Sequence, residues 1–136
     1  KFLFNGYLTH YGFFGAKILK IKEILQKELI YNVSKFNKFV TPCTAGNLSY
    51  VIMEDGSLKP CEILSDNLGK ITNKKDFSIR KLFLSKKAKD LRSWIVKTKC
   101  KCTYECAMST NTLFTMPMIK QWMKKIPEIM FKKQSG

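Results

Sequence analysis

Arginine is almost missing from this chain. Of 25 basic residues only Arg80 and Arg92 carry the planar guanidinium fork that base and phosphate recognition favours, and the rest are lysines. The formal charge of +15 would suit a polyanion, because clustered cations bind phosphate by releasing counterions. The excess is spread along the chain, however: 7 − 2 = +5 over 1–38, 13 − 7 = +6 over 39–115 and 5 − 1 = +4 over 116–136. Solvated lysine faces explain such a spread, so a nucleic-acid partner is not expected. Long apolar runs are missing too. The best candidate, YGFFGAKIL at 11–19, is broken by Lys17, which leaves neither a membrane span nor a signal-peptide core and reads as a soluble, cytoplasmic protein. Histidine is limited to His10, which sits among aromatics and reads as structural or exposed rather than catalytic. What the chain does not lack is core material: 45% hydrophobic residues over 136 positions suffice for one ordinary domain and exclude disorder throughout.

Residues 14–38 carry Ile18, Leu19, Ile21, Ile24, Leu25, Leu29 and Ile30 among lysines and glutamates. That spacing, near 3.6, predicts an amphipathic helix whose one apolar stripe needs a surface to cover. Because the sequence opens on Lys1 and runs straight into apolar, periodic material, it is expected to be a piece of a longer protein. Residues 76–97 predict two short helices, the first capped by Asp76 or Ser78 and the second by Ser85. Leu84, Ala88, Leu91 and Ile95 then share a face, with Trp94 packed beside them. The tail from Pro117 has Ile119, Trp122, Met123 and Ile126 at helical spacing before Pro127 is expected to interrupt it. Tryptophan and methionine opposite lysines in MIKQWMKKIPEIMFKK also suit a membrane interface, a lesser reading if these side chains simply pack on the domain.

Between Thr41 and Cys61 the pattern becomes that of a hairpin. LSYVIM, EDGS and LKPC place Asp55-Gly56 at the centre of a two-residue turn, the dipeptide best able to take the positive φ angles of type I′. Residue 54 then pairs with 57. Val51, Met53, Leu58 and Pro60 fall on the core face, and Tyr50, Ile52, Lys59 and Cys61 on the other. Small residues in PCTAGN allow a reversal that returns Cys43 toward Cys61 at the open end of the hairpin.

The chain has five cysteines, and three of them crowd into KCKCTYEC at 99–106. The odd count and the missing secretory signal disfavour a disulfide framework. Three thiols in a lysine-rich octet make a poor apolar core. Metal or cluster binding remains: two thiols from the hairpin and two from 100–106 suit tetrahedral zinc or a cubane iron–sulfur cluster. The separation of Cys43 from Cys61 and the C-x-C-x3-C run of Cys100, Cys102 and Cys106 do not look like a zinc ribbon. Lys99 and Lys101 flank the thiols, where cations would lower a thiol pKa, or are ordinary surface lysines.

These residues carry a resemblance. Cys43, twelve residues, Gly56, four residues and Cys61, with the turn written EDGSLKPC, looks like the opening of the SPASM/twitch domains at the C-terminal end of many radical SAM (AdoMet) enzymes. LGKI at 68–71 resembles that family's G-N-I segment, IRKLFLSKKAKDLRSWI its connecting helices, and KCKCTYEC its closing cysteine cluster, so the likeness covers about 39–115. Five cysteines cannot ligate two clusters at four thiolates each, so the chain resembles the smaller twitch version with one auxiliary [4Fe-4S] cluster. The implied ligands come from Cys43, Cys61, Cys100, Cys102 and Cys106. The C-x3-C spacing of Cys102 and Cys106 resembles the end of the longer pattern, with Cys100 as a spare or alternate ligand.

The resemblance further implies electron transfer or shaping of a substrate site, with a peptide, protein or sugar as substrate and an upstream radical SAM barrel as partner. That barrel would hold AdoMet and a second cluster on a C-x3-C-x2-C loop. The loop is missing from this sequence, so the polypeptide alone is not expected to cleave AdoMet. The rival reading is a zinc-stabilised, lysine-rich nucleic-acid-binding module. The expected fold is α+β: a small antiparallel hairpin with short helices around a cysteine-ligated cluster, preceded and followed by amphipathic helices. Its expected segments are a helical lead-in over 1–38, a remnant of the barrel by the resemblance, the cluster-binding domain over 39–115 and a basic helical tail over 116–136.

Overall fold

The computed structural model describes residues 13, 15–72 and 77–130, with the backbone alone for 128–130. The readings made for His10 and for Asp76 as a cap fall outside these residues. The fold is α+β. Helix α1 (Ala16–Phe36) leads into a sheet of β1 (Val51–Ile52), β2 (Ser57–Lys59) and β3 (Gly69–Lys70). Helices α2 (Ile79–Leu84), α3 (Lys86–Lys97), α4 (Glu105–Phe114) and α5 (Met116–Met130) follow. Two apolar cores result.

The first core joins α1, α4 and α5. Ile21, Leu25, Leu29 and Val33 recur at four-residue steps and bury one stripe of α1 against Met108 of α4 and Met118 of α5. Ile18, expected on that stripe, stands exposed instead. The surface the stripe needed is thus supplied by two later helices of the same chain, and this layer draws on all three expected segments. Gln26, buried beside the stripe, donates from Nε2 to the Glu105 carbonyl at 3.1 Å, tying α1 to the first turn of α4. Helix α4 was not read from the sequence. Helix α5 also differs from expectation, continuing through Pro127 to Met130. Proline removes one N–H and hinders the carbonyl four residues back, but here that carbonyl belongs to Met123 on the exposed side of the last turns.

The second core lies under the sheet and α3. Ala45, Leu58, Leu68, Ala88, Leu91 and Ile95 are buried together, with Tyr50, Leu82 and Phe83 packed around them. Ser85 caps α3 as expected, its Oγ accepting from the Ala88 N–H at 3.2 Å. Leu84 and Trp94 do not share the buried face: both are exposed. The hairpin register is corrected by one residue. Val51 pairs with Lys59 and Ile52 with Leu58. The Gly56 N–H bonds the Met53 carbonyl, and the Met53 N–H bonds the Ser57 carbonyl, both at 2.9 Å. The loop is therefore three residues long, with Gly56 alone at positive φ (+80°).

Asp55 explains the choice. Its Oδ1 accepts from the Ser57 N–H at 3.0 Å, and this local bond favours a turn in which Asp55 keeps negative φ, whereas type I′ needs positive φ at both central residues. A one-residue slip inverts a strand's faces. Continuing the register puts Tyr50, rather than Val51, on the same face as Leu58 and Pro60. The LGKI segment supplies β3, whose Gly69 pairs with Leu58. Any Cβ at Gly69 would lie 2.6 Å from Leu82 Cδ2, so glycine there lets α2 close over the sheet edge.

Candidate functional site

The cysteines line the seam between the two cores. Cys43, Cys61 and Cys100 pack against the sheet-side core, and Cys102 packs against the helical core. Each is only partly buried, and no disulfide joins any of the five. Cys61 therefore does not sit on the face away from the apolar set, because the chain turns just after Pro60 and carries it back onto that core.

Three pieces of local structure set the thiols in place. Cys43 precedes Thr44, whose N–H and Oγ1 both donate to Oδ1 of the fully buried Asn111 of α4, at 2.8 and 2.7 Å. Thr41 bonds Thr115 through their hydroxyls at 2.5 Å, so the whole Cys43 loop is latched to the end of α4. On its other side the loop turns at Gly46, at φ +71°, with a carbonyl that accepts from Arg92 Nη1 at 3.2 Å. The same guanidinium nitrogen reaches the Phe83 carbonyl at 3.0 Å, tying the loop to α2 and α3.

Cys61 opens a tight turn in which the Leu64 N–H donates to its Sγ at 3.4 Å. Cys100 is set by the end of α3. Its N–H bonds the Ile95 carbonyl at 3.0 Å and the Lys99 N–H bonds Val96 at 3.2 Å, the paired bonds of a Schellman cap, with Lys99 in the left-handed conformation at φ +50°. That reversal turns Cys100 inward against the sheet-side core. Cys102 follows two residues later, where the chain crosses to the helical layer.

The thiols of Cys43, Cys61, Cys100 and Cys102 lie close enough to sense one another. Burial, and then the neighbouring charges of Cys43, Cys102 and Cys61, push the Cys100 thiol up to about 11. Burial followed by Cys43 and Cys61 does the same for Cys102, also to about 11. The expected lowering by flanking lysines is not found. Lys101 turns away to donate from Nζ to the Asn37 carbonyl, and desolvation of the thiols dominates. Cys106 differs from these four in its exposure. It is exposed in the first turn of α4 and lines, with Tyr50, Cys61, Glu62 and Tyr104, a pocket of about 190 Å³. There the Tyr104 hydroxyl donates to the Glu62 carboxylate.

Four sulfurs from three separate stretches, one accepting a backbone N–H, are in number and type the donors that a thiolate-bound metal or cluster takes. As placed, however, no group of three or more Cys, His, Asp or Glu side chains among the described residues could hold a metal ion. Sequence reasoning missed Asn111, Thr44, Thr115 and Arg92. A signal existed, since Met108, Asn111, Thr112 and Thr115 repeat at helical spacing, with polar residues at three core positions.

No family model, no curated protein and no solved structure matches the chain. No helix among the described residues is long and apolar enough to cross a membrane.

Proposed function

We propose that this chain is an auxiliary cluster-binding module of the SPASM/twitch kind, in which Cys43, Cys61, Cys100 and Cys102 hold one [4Fe-4S] cluster. The observation that supports the reading is that Cys43, Cys61 and Cys100 pack against the sheet-side core and Cys102 against the helical core, near enough for each of Cys100 and Cys102 to feel both Cys43 and Cys61. Four thiolates are what such a cluster takes from its protein. When bound, the cluster supplies one-electron transfer, in partnership with an upstream radical SAM barrel acting on a peptide, protein or sugar. The residues of this chain do the holding and tuning. Asn111 and Arg92 fix the Cys43 loop from two sides, the Schellman cap aims Cys100, and the Leu64 N–H lies against Cys61 Sγ, the kind of hydrogen bond to sulfur that shifts a cluster's potential.

The test is the ligand set. After anaerobic reconstitution with iron and sulfide, Cys43→Ala, Cys61→Ala, Cys100→Ala and Cys102→Ala each lose the brown chromophore and most of the bound iron, while Cys106→Ala keeps both. Loss of colour in Cys106→Ala, with retention in Cys100→Ala, would move the site toward α4 and contradict this assignment. A colourless wild-type protein that takes up only zinc would sink it.

A further inference from the structure

The apolar arc of α5 is wider than the surface that covers it. At about 100° per residue, Met118 and Trp122 point into the helical core, and the arc then continues around the helix through Ile126 and Ile119 to Met123 and Met116. These four remain in solvent: Met116 is 66% exposed, Ile119 36%, Met123 70% and Ile126 40%. Apolar side chains in such an unbroken stripe are a surface for something else, unlike scattered single residues. Charge tells what the partner is. Lys120 and Lys124, both exposed, form the border of the arc on the side away from the core. Residues 116–136 hold five lysines against one glutamate.

A second copy of the chain is a poor occupant, since two stripes face to face would bring together two lysine borders on two chains of formal charge +15. An apolar arc bordered by lysine, on a helix too short and polar to span, matches the physics of an interfacial helix. We infer that α5 is a membrane-surface contact, laying Met116, Ile119, Met123 and Ile126 into the interface of a bilayer that carries anionic lipid, with Lys120 and Lys124 among the headgroup phosphates. This goes beyond the cluster-binding reading and does not depend on it, because no residue of the arc is a proposed ligand.

Flotation of the full chain with vesicles separates the outcomes. Vesicles of phosphatidylcholine with about 30 mol% phosphatidylserine bind the protein at low salt, and pure phosphatidylcholine vesicles leave it unbound. Lys120→Gln and Lys124→Gln each lower the partition coefficient roughly fivefold, the equivalent of about 1 kcal/mol per lysine near an anionic surface. Met123→Asp and Met116→Ser lower it by about tenfold or more, because they remove apolar contact from the interface. Both positions are exposed, so these variants keep the wild-type melting temperature, and two independent sites guard against one misfolded variant. Absence of binding to the anionic vesicles overturns the inference. So does binding that Met123→Asp and Met116→Ser leave unchanged, which would reduce it to lysine attraction alone. A concentration-dependent dimer that Met123→Asp dissolves would give the stripe to a second copy instead.

Discussion

Asn111→Ala removes the side chain that fastens the Cys43 loop to α4, and its cost follows from the hydrogen bonds lost. Oδ1 of Asn111 is the acceptor for two donors of Thr44, at 2.8 and 2.7 Å, and both residues are buried. A buried donor left without a partner costs on the order of 1–3 kcal/mol. Two such donors, lessened by partial entry of water, give about 3 kcal/mol, and the space vacated by the carboxamide adds to it. That is a large fraction of the roughly 5–15 kcal/mol that holds a domain together. The assay is reversible urea denaturation of the metal-free protein followed by far-UV circular dichroism. Asn111→Asp is the control, since a carboxylate keeps an acceptor at the same place and should recover much of the loss. In the reconstituted protein the same Ala variant should weaken metal retention by about 10–100-fold, as expected when the support of a ligand-bearing loop is removed. A loss below about 1 kcal/mol in Asn111→Ala, with iron content unchanged, would refute the latch.

Other predictions concern the parts around it. Gly69→Ala should destabilise by about 2 kcal/mol, because its Cβ would meet Leu82 at 2.6 Å at a backbone angle of φ +147°; an unchanged melting temperature would show that α2 is not pressed on β3. Lys99→Gly should stabilise by about 0.5–1 kcal/mol, since it relieves the left-handed conformation at the end of α3. A destabilised Lys99→Gly would contradict the Schellman geometry that aims Cys100. For the metal-free protein, the folded-state pKa of Cys100 and Cys102, near 11, lies above their ordinary value of 9.0. A raised pKa contributes stability that is complete below pH 9 and is lost as pH climbs through about 11. Comparing wild type with a Cys100→Ala/Cys102→Ala variant by denaturation at both ends of that window isolates the thiols from the lysines. Equal losses in the two proteins would show that burial does not raise the two thiols' pKa in the folded state.

The apolar stripe of α1 and the cap of α3 were legible in the sequence, and the hairpin register and helix α4 were not. The stripe of Ile21, Leu25 and Leu29 and the Ser85 cap of α3 could be read from spacing and residue type, because apolar period and capping act over a few residues. The hairpin was legible as a hairpin, but its register depended on whether Asp55 would bond Ser57, which the Asp-Gly dipeptide alone does not decide. Helix α4 was hidden because ECAMSTNTLF is rich in Ser, Thr and Asn, which favour turns. Its polar residues at core positions serve as acceptors for the Cys43 loop rather than as loop-formers. Among the cysteines, spacing pointed to a group of thiols but not to their differing burial. The reversal at Lys99 brings Cys100 inward, whereas Cys106 lies beyond the crossing, in the first turn of α4.

The most direct test of the cluster reading is the iron and sulfide content of the anaerobically reconstituted chain, measured together with its visible spectrum. About four iron and four sulfide per chain, with broad charge-transfer absorption that disappears in Cys61→Ala and persists in Cys106→Ala, is the predicted result. A colourless protein with no bound sulfide, or one whose colour and melting temperature are unchanged in Cys61→Ala, would contradict it.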